Sequence, residues 1–128
     1  MTAQELIKRV LVKINVYSQD STPSSEDNQS TLDSLNEMMG QWMEEGVPIN
    51  DGDLELSDTF PVDGLEKKAI IFNLCVDVAP DFRKAVDPTI YAQADSMYQD
   101  LLSKYEAIET VTVDTMLVRN DDYQIDNG

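Results

Sequence analysis

Few residues of this chain are of a type that does chemistry alone. Histidine is absent and there is one cysteine, Cys75. That removes imidazole general bases, His-based triads and His-ligated zinc, and one thiol cannot build a structural zinc site. Glu44 and Glu45 follow Trp42 closely. Glycoside hydrolysis would need two carboxylates roughly 5–9.5 Å apart across a sugar cleft, one kept protonated by apolar surroundings. These two fall at a helix end, where solvation is expected. Asp51, Asp53 and Glu55 suggest a calcium loop but lack its spacing of about twelve residues and its terminal Glu. Cys75 lies inside an apolar run, the place of an inert core thiol and not of a nucleophile. None of the five glycines builds a phosphate loop. The expectation is a protein with no catalytic residue, cofactor or metal, working through its surfaces.

Those surfaces are acidic. Nine Lys and Arg against 25 Asp and Glu give a formal charge of −16 in 128 residues. From Ile14 to Glu66 there is no Lys or Arg, but thirteen Asp and Glu. So long a run exceeds one helix face and must colour a whole surface. Free binding to nucleic acid is disfavoured, because phosphates are repelled. Passage of DNA nearby without capture is not. Lys8, Arg9 and Lys13 gather a third of the positive charge within six residues. They form either a solvated face or a contact for an acidic partner, including a neighbouring copy of the same chain. The single cysteine points to a reducing compartment. No apolar run approaches the roughly 20 residues of a membrane helix, and the N-terminus is amphipathic. A soluble, intracellular, one-domain chain is expected.

The elements that carry these residues are helices. Thr2-Ala3-Gln4-Glu5 fits a capping box, and Leu6, Ile7, Val10, Leu11 and Ile14 form a stripe to about Asn15. Thr22-Pro23 suits an N-cap followed by Pro, opening a second helix that runs to Glu45. Its stripe of Leu32, Leu35, Met38, Met39, Trp42 and Met43 holds the only Trp and half of the six Met, which marks it as the central core helix. Gly46 stops it in a left-handed conformation and Pro48 blocks a restart. Val47 to Val62 is a turn-rich loop, with Leu54 and Leu56 alternating as in a short extended piece. Asp63-Gly64-Leu65-Glu66 is a second capping-box pattern. It opens a helix apolar around most of its circumference, which Pro80 breaks. Asp87-Pro88 opens a fourth helix along Ile90, Tyr91, Ala94, Met97, Tyr98, Leu101, Leu102 and Tyr105. Beyond Tyr105 the period changes, and Val111, Val113, Met116, Leu117 and Val118 suit an extended segment. The chain is therefore expected to be all-α: a small four-helix bundle over 1–107 with an extended C-terminal tail over 108–128.

Some of these residues resemble a known family. Asn73-Leu74 followed by Val78-Ala79-Pro80-Asp81-Phe82 resembles a signature of phage head-to-tail adaptor proteins. Leu35, Met38, Met39, Trp42 and Gly46-Val47 are similar to that family's central helix, and Ile90, Ala92 and Ala94 to its last bundle helix. The likeness is to the adaptor (tail accessory, packaged-DNA stabilisation) type of short-tailed phages and covers roughly residues 2 to 105. It implies a virion protein of the neck, in the host cytoplasm during assembly. Copies would form a ring, usually of twelve, under the portal vertex. The ring would extend the DNA channel without specific DNA binding, help retain packaged DNA, and offer a platform to the next tail protein, a nozzle or hub. Such adaptors anchor to the portal through C-terminal tails, which implies that role here for Val111, Val113, Met116, Leu117, Val118, Tyr123 and Ile125. Lys8, Arg9 and Lys13 are then candidate contacts between subunits. Two other readings stand beside this one: an acidic DNA mimic that inhibits a nucleic-acid-binding protein, and a cell-wall glycoside hydrolase.

Overall fold

The structure, a computed structural model, describes the backbone of residues 1–127 and the side chains of residues 1–108. Four α-helices follow in order: α1 Ala3–Lys13, α2 Ser25–Glu44, α3 Gly64–Val78 and α4 Pro88–Asn127. A single 3₁₀ turn, Ala79–Phe82, ends α3. Among the described residues there is no strand, only one isolated antiparallel bridge between Thr2 and Thr59. The all-α four-helix bundle expected from the sequence is the fold of this chain.

The core is built from the expected stripes. Leu6, Ile7, Val10 and Leu11 of α1, Leu35 and Met39 of α2, Ile70, Leu74 and Val78 of α3, and Leu101 of α4 are closed to solvent. Trp42 is buried too and stacks at a tilt on Tyr98 of α4, with ring centroids 4.8 Å apart. Met43, placed in the same stripe, is instead 38% exposed. It lies at the edge of the stripe in the last turn of α2, where less of the bundle covers it. The loop between α2 and α3 contributes Val47, Ile49, Leu54 and Phe60 to the core. Asn36 holds that loop down: its amide donates to the Leu54 carbonyl at 3.0 Å and accepts from the Leu54 N–H at 2.9 Å. One side chain thus imitates a strand neighbour, and this replaces the short strand that alternation at Leu54 and Leu56 suggested.

Helix ends follow local chemistry with two exceptions. At α1 the Glu5 N–H donates to Thr2 Oγ1 at 3.2 Å and the Thr2 N–H donates to Glu5 Oε1 at 3.4 Å, a complete capping box. The next two free amides, of Ala3 and Gln4, donate to the carbonyls of Asp58 and Leu56 at 2.8 and 3.0 Å. Helix α1 ends with Asn15 at φ 63. Helix α2 ends with Gly46 at φ 99, its N–H bonded to the Met43 carbonyl and that of Val47 to the Trp42 carbonyl, the paired pattern of a left-handed stop. The first exception is the start of α2. Ser24, not Thr22, is the N-cap, accepting from the Asp27 N–H at 3.1 Å. The Tyr17 hydroxyl fixes it there by accepting the Ser24 N–H and donating to the Asp27 carboxylate. The second is the start of α3. Asp63 makes no capping bond and pairs with Lys67 at 3.0 Å, while Glu66 turns away to Lys104 and Tyr105 of α4. Helix α4 opens as expected, with Asp87 Oδ1 accepting from the Thr89 N–H at 2.8 Å.

Helix α4 continues past its expected end near Tyr105, so the backbone from Ile108 to Asn127 is helical where an extended segment was expected. No Gly or Pro interrupts residues 89–127. β-branched residues cost a helix only a few tenths of a kcal/mol each, so the changed period does not by itself end the helix.

Candidate interaction faces

Helix α3 is the axis of the site, because two oppositely charged grooves flank it. The first lies between α1 and α3. Arg9 and Lys13, four residues apart, share one face of α1. They line a shallow groove of about 230 Å³ with Lys67, Lys68, Ile71 and Phe72 of α3. At its centre the Phe72 ring has Lys13 Nζ 4.4 Å from its centroid and Lys68 Nζ at 6.0 Å. An aromatic face attracts cations by its quadrupole and orients the two ammonium groups around it. Four of the chain's nine cations meet here.

The structure therefore redraws the basic cluster expected on α1. Lys13 lines this groove, Arg9 lines both it and a neighbouring hollow, and half-buried Lys8 shares that hollow with Arg9 and Glu5. Lys67 and Lys68 were missed by sequence reading. Their signal was their position as the first cations after the cation-free stretch that ends at Glu66.

The second groove lies between α2 and α3, lined by Glu37, Met38 and Gln41 and by Asn73, Val76 and Asp77. Partial burial, then the carboxylates of Asp81 and Glu37, push the Asp77 carboxyl above the ordinary range. No cation answers it in that lining.

Of the residues that resemble the adaptor signature, Asn73 ties two helices together. The Asn73 amide donates to the Ala69 carbonyl at 2.8 Å and to the Ala94 carbonyl of α4 at 3.0 Å, tying α3 to α4. Leu74, Ala79 and Ala94 are buried, Phe82 is half-buried, and Pro80 and Asp81 are exposed on the 3₁₀ turn. Leu35, Met39 and Trp42 are buried and Met38 is half-buried. Ile90 is half-buried and Ala92 exposed. These residues fix packing and helix angles; they present no reactive group.

The sites considered for catalysis or metal take different forms. Glu44 and Glu45 are both exposed, and Glu45 Oε1 accepts a hydrogen bond from the Tyr98 hydroxyl at 2.6 Å. Burial and the Glu45 carboxylate push that hydroxyl far above its ordinary range, which keeps it a donor. Neither glutamate has the apolar surroundings of a general acid. Among the described residues no three of His, Cys, Asp or Glu gather as a metal would need, the loop with Asp51, Asp53 and Glu55 included. Cys75 is fully buried, and desolvation pushes its thiol up to about 11, against a weaker opposing pull from Lys13. The side chains of Val111, Val113, Met116, Leu117, Val118, Tyr123 and Ile125 lie outside the described residues.

No protein-family model matches this chain, and no curated protein matches it. Among the described residues no helix is long and apolar enough to cross a membrane.

Proposed function

We propose that this chain is a structural head-to-tail adaptor of a bacteriophage virion. In this reading it forms a ring beneath the portal, extends the DNA channel and offers a platform for the next tail protein. The observation that carries the reading is that Asn73, within the residues that resemble the signature, ties α3 to α4. Asn73 bonds across to the Ala94 carbonyl, Leu74 is buried within α3, and Ala79 is buried where the 3₁₀ turn ends that helix. The acidic surface suits a channel through which DNA must slide, because it repels phosphate. The C-terminal part of α4 is the anchor to the portal in this proposal.

Purified protein mixed with portal rings tests it by mass measurement. The full chain is expected to add to the rings in integral copies. A chain ended after Ala107 is expected to keep its melting cooperativity and the helical circular dichroism of the bundle, losing only the share of the helix beyond Ala107, but to lose stable attachment. Portal rings whose mass is unchanged by the full chain would reject the proposal. Full-affinity binding by the shortened chain would move the anchor elsewhere.

A further inference from the structure

The two grooves beside α3 differ in sign and point in different directions. Lys68 and Asp77 are nine residues apart on one helix, and at about 100° per residue they lie about half a turn from each other around it. The same spacing separates them by about 13 Å along the axis. The basic groove is thus beside the N-terminal half of α3 against α1, and the acidic one beside the C-terminal half against α2. The two faces of one molecule cannot meet each other.

Each face also lacks internal compensation. Of the four cations in the basic groove, only Lys67 takes part in an ion pair among the described residues, with Asp63. Arg9, Lys13 and Lys68 are exposed. On the acidic face Glu37, Asp77 and Asp81 are exposed as well, and Asp77 feels the other two as like charges. A cation in their midst would relieve that repulsion.

We infer that the basic groove of Arg9, Lys13, Lys67 and Lys68 around Phe72 is a socket for the acidic α2–α3 face, Glu37, Asp77 and Asp81, of a second copy of this chain. The contact is heterologous: one surface meets a different surface of the neighbour, and each copy keeps one free socket and one free face. Repetition of such a contact gives a closed ring if the rotation closes, and a filament if it does not. Complementary charge sets register and speeds encounter, and Phe72 gives the socket a desolvated floor. This deepens the ring-building part of the proposed function and rests on that reading for its setting. The occupant is a second copy because the two faces are opposite in charge and carry three exposed groups each, Arg9, Lys13 and Lys68 against Glu37, Asp77 and Asp81, with no ion pair among the described residues.

Zero-length carbodiimide coupling, which joins amines to carboxylates in ion-pair contact, tests this on the unmodified protein. Equal amounts of ordinary and ¹⁵N-labelled chains are coupled at high protein concentration and low salt. Mixed-isotope peptides joining Lys13, Lys67 or Lys68 to Glu37, Asp77 or Asp81 are expected, and high salt should suppress them. Two charge-reversed proteins give the second arm: Lys13→Glu with Lys68→Glu, and Glu37→Lys with Asp77→Lys, each checked for helical circular dichroism. Each alone should lose about tenfold or more of its self-conjugate, since like charges then face each other. A mixture of the two should recover it, because each mutant face then meets its opposite. Absence of the mixed-isotope peptides from the wild type would overturn the inference, as would failure of the mixture to recover. Capture of poly-glutamate by the socket without any self-conjugate would also overturn the second-copy assignment. Portal attachment is read separately, so failure here and failure of the adaptor reading are distinct results.

Discussion

Helices α1 and α3 begin with the same sequence pattern and resolve it in opposite ways. Thr2 and Glu5 close a reciprocal box around the first turn of α1. Asp63 and Glu66 stand at the same spacing, yet neither caps α3: Asp63 reaches forward to Lys67, and Glu66 bonds Lys104 and Tyr105 of α4. The residues differ little in kind; their surroundings differ. Glu5 is exposed, and its donors are local, the hydroxyl and the N–H of Thr2. Glu66 is buried, and a carboxylate there needs a charged partner. A cap worth about 1 kcal/mol yields to that need. One acid therefore starts a helix, and the other fastens two helices together.

The comparison rests on one core beneath both helix starts, and the largest expected effect comes from removing it. Trp42→Ala should cost about 3–5 kcal/mol, as loss of a large buried aromatic does. Urea melts would show it, and a loss under about 1 kcal/mol would mean that the stripe of α2 is not the shared core.

Glu66→Ala comes next, with an expected loss of about 1–2 kcal/mol for a charge-assisted bond whose partner is partly exposed. Native-state hydrogen exchange should then quicken in the first turn of α3 and around Lys104 together. Quickening confined to α3 would make Glu66 a local residue after all. Thr2→Ala should cost about 1 kcal/mol, with faster exchange in the first turn of α1 alone.

The smallest effect is the dependence on pH. Burial pushes the Glu66 carboxyl up, but the hydrogen bond from Lys104, the local backbone bond and the Lys104 charge together carry it below its ordinary 4.5. Asp63 is likewise lowered from 3.8, by the hydrogen bond and charge of Lys67. A depressed carboxyl stabilises the fold above its unfolded value and loses that contribution as pH falls through the folded one. On the other side Lys104 is raised above 10.5, chiefly by its bond to Glu66, so its share is present below 10.5 and is lost as pH rises through the raised value. Glu66→Gln should therefore flatten the stability profile at both ends. An unchanged acid limb would assign that limb to other carboxylates.

What was legible in the sequence follows the same division between local and distant partners. The Thr2 box, the stop at Gly46 and the opening at Asp87-Pro88 depend on residues within four positions, and each formed as read. Glu66 was misread because its partner lies 38 positions away, and the role of Asn36 was missed because Leu54 is 18 away. Ser24 displaced Thr22 as a cap because Tyr17 folds back to hold it. Lys67 and Lys68 join Arg9 and Lys13 only once α3 lies along α1, so half of the basic groove had no pattern in the chain. The stripe on α2 gave Trp42 its place correctly, but periodicity does not say where a neighbouring helix stops covering it, hence Met43.

The loop carbonyls that receive the first amides of α1 also set an order of events during synthesis. The N–H groups of Ala3 and Gln4 bond to Asp58 and Leu56, and the Phe60 N–H returns to the Met1 carbonyl. In a nascent chain α1 is translated before Leu56 and leaves the ribosome before Leu56 does. Until then the opening turn of α1 has only water for those donors, and its apolar face lacks the Leu54 and Phe60 side chains that join the same core. The helix made first is therefore completed late, once the segment that carries Leu56, Asp58 and Phe60 has reached it.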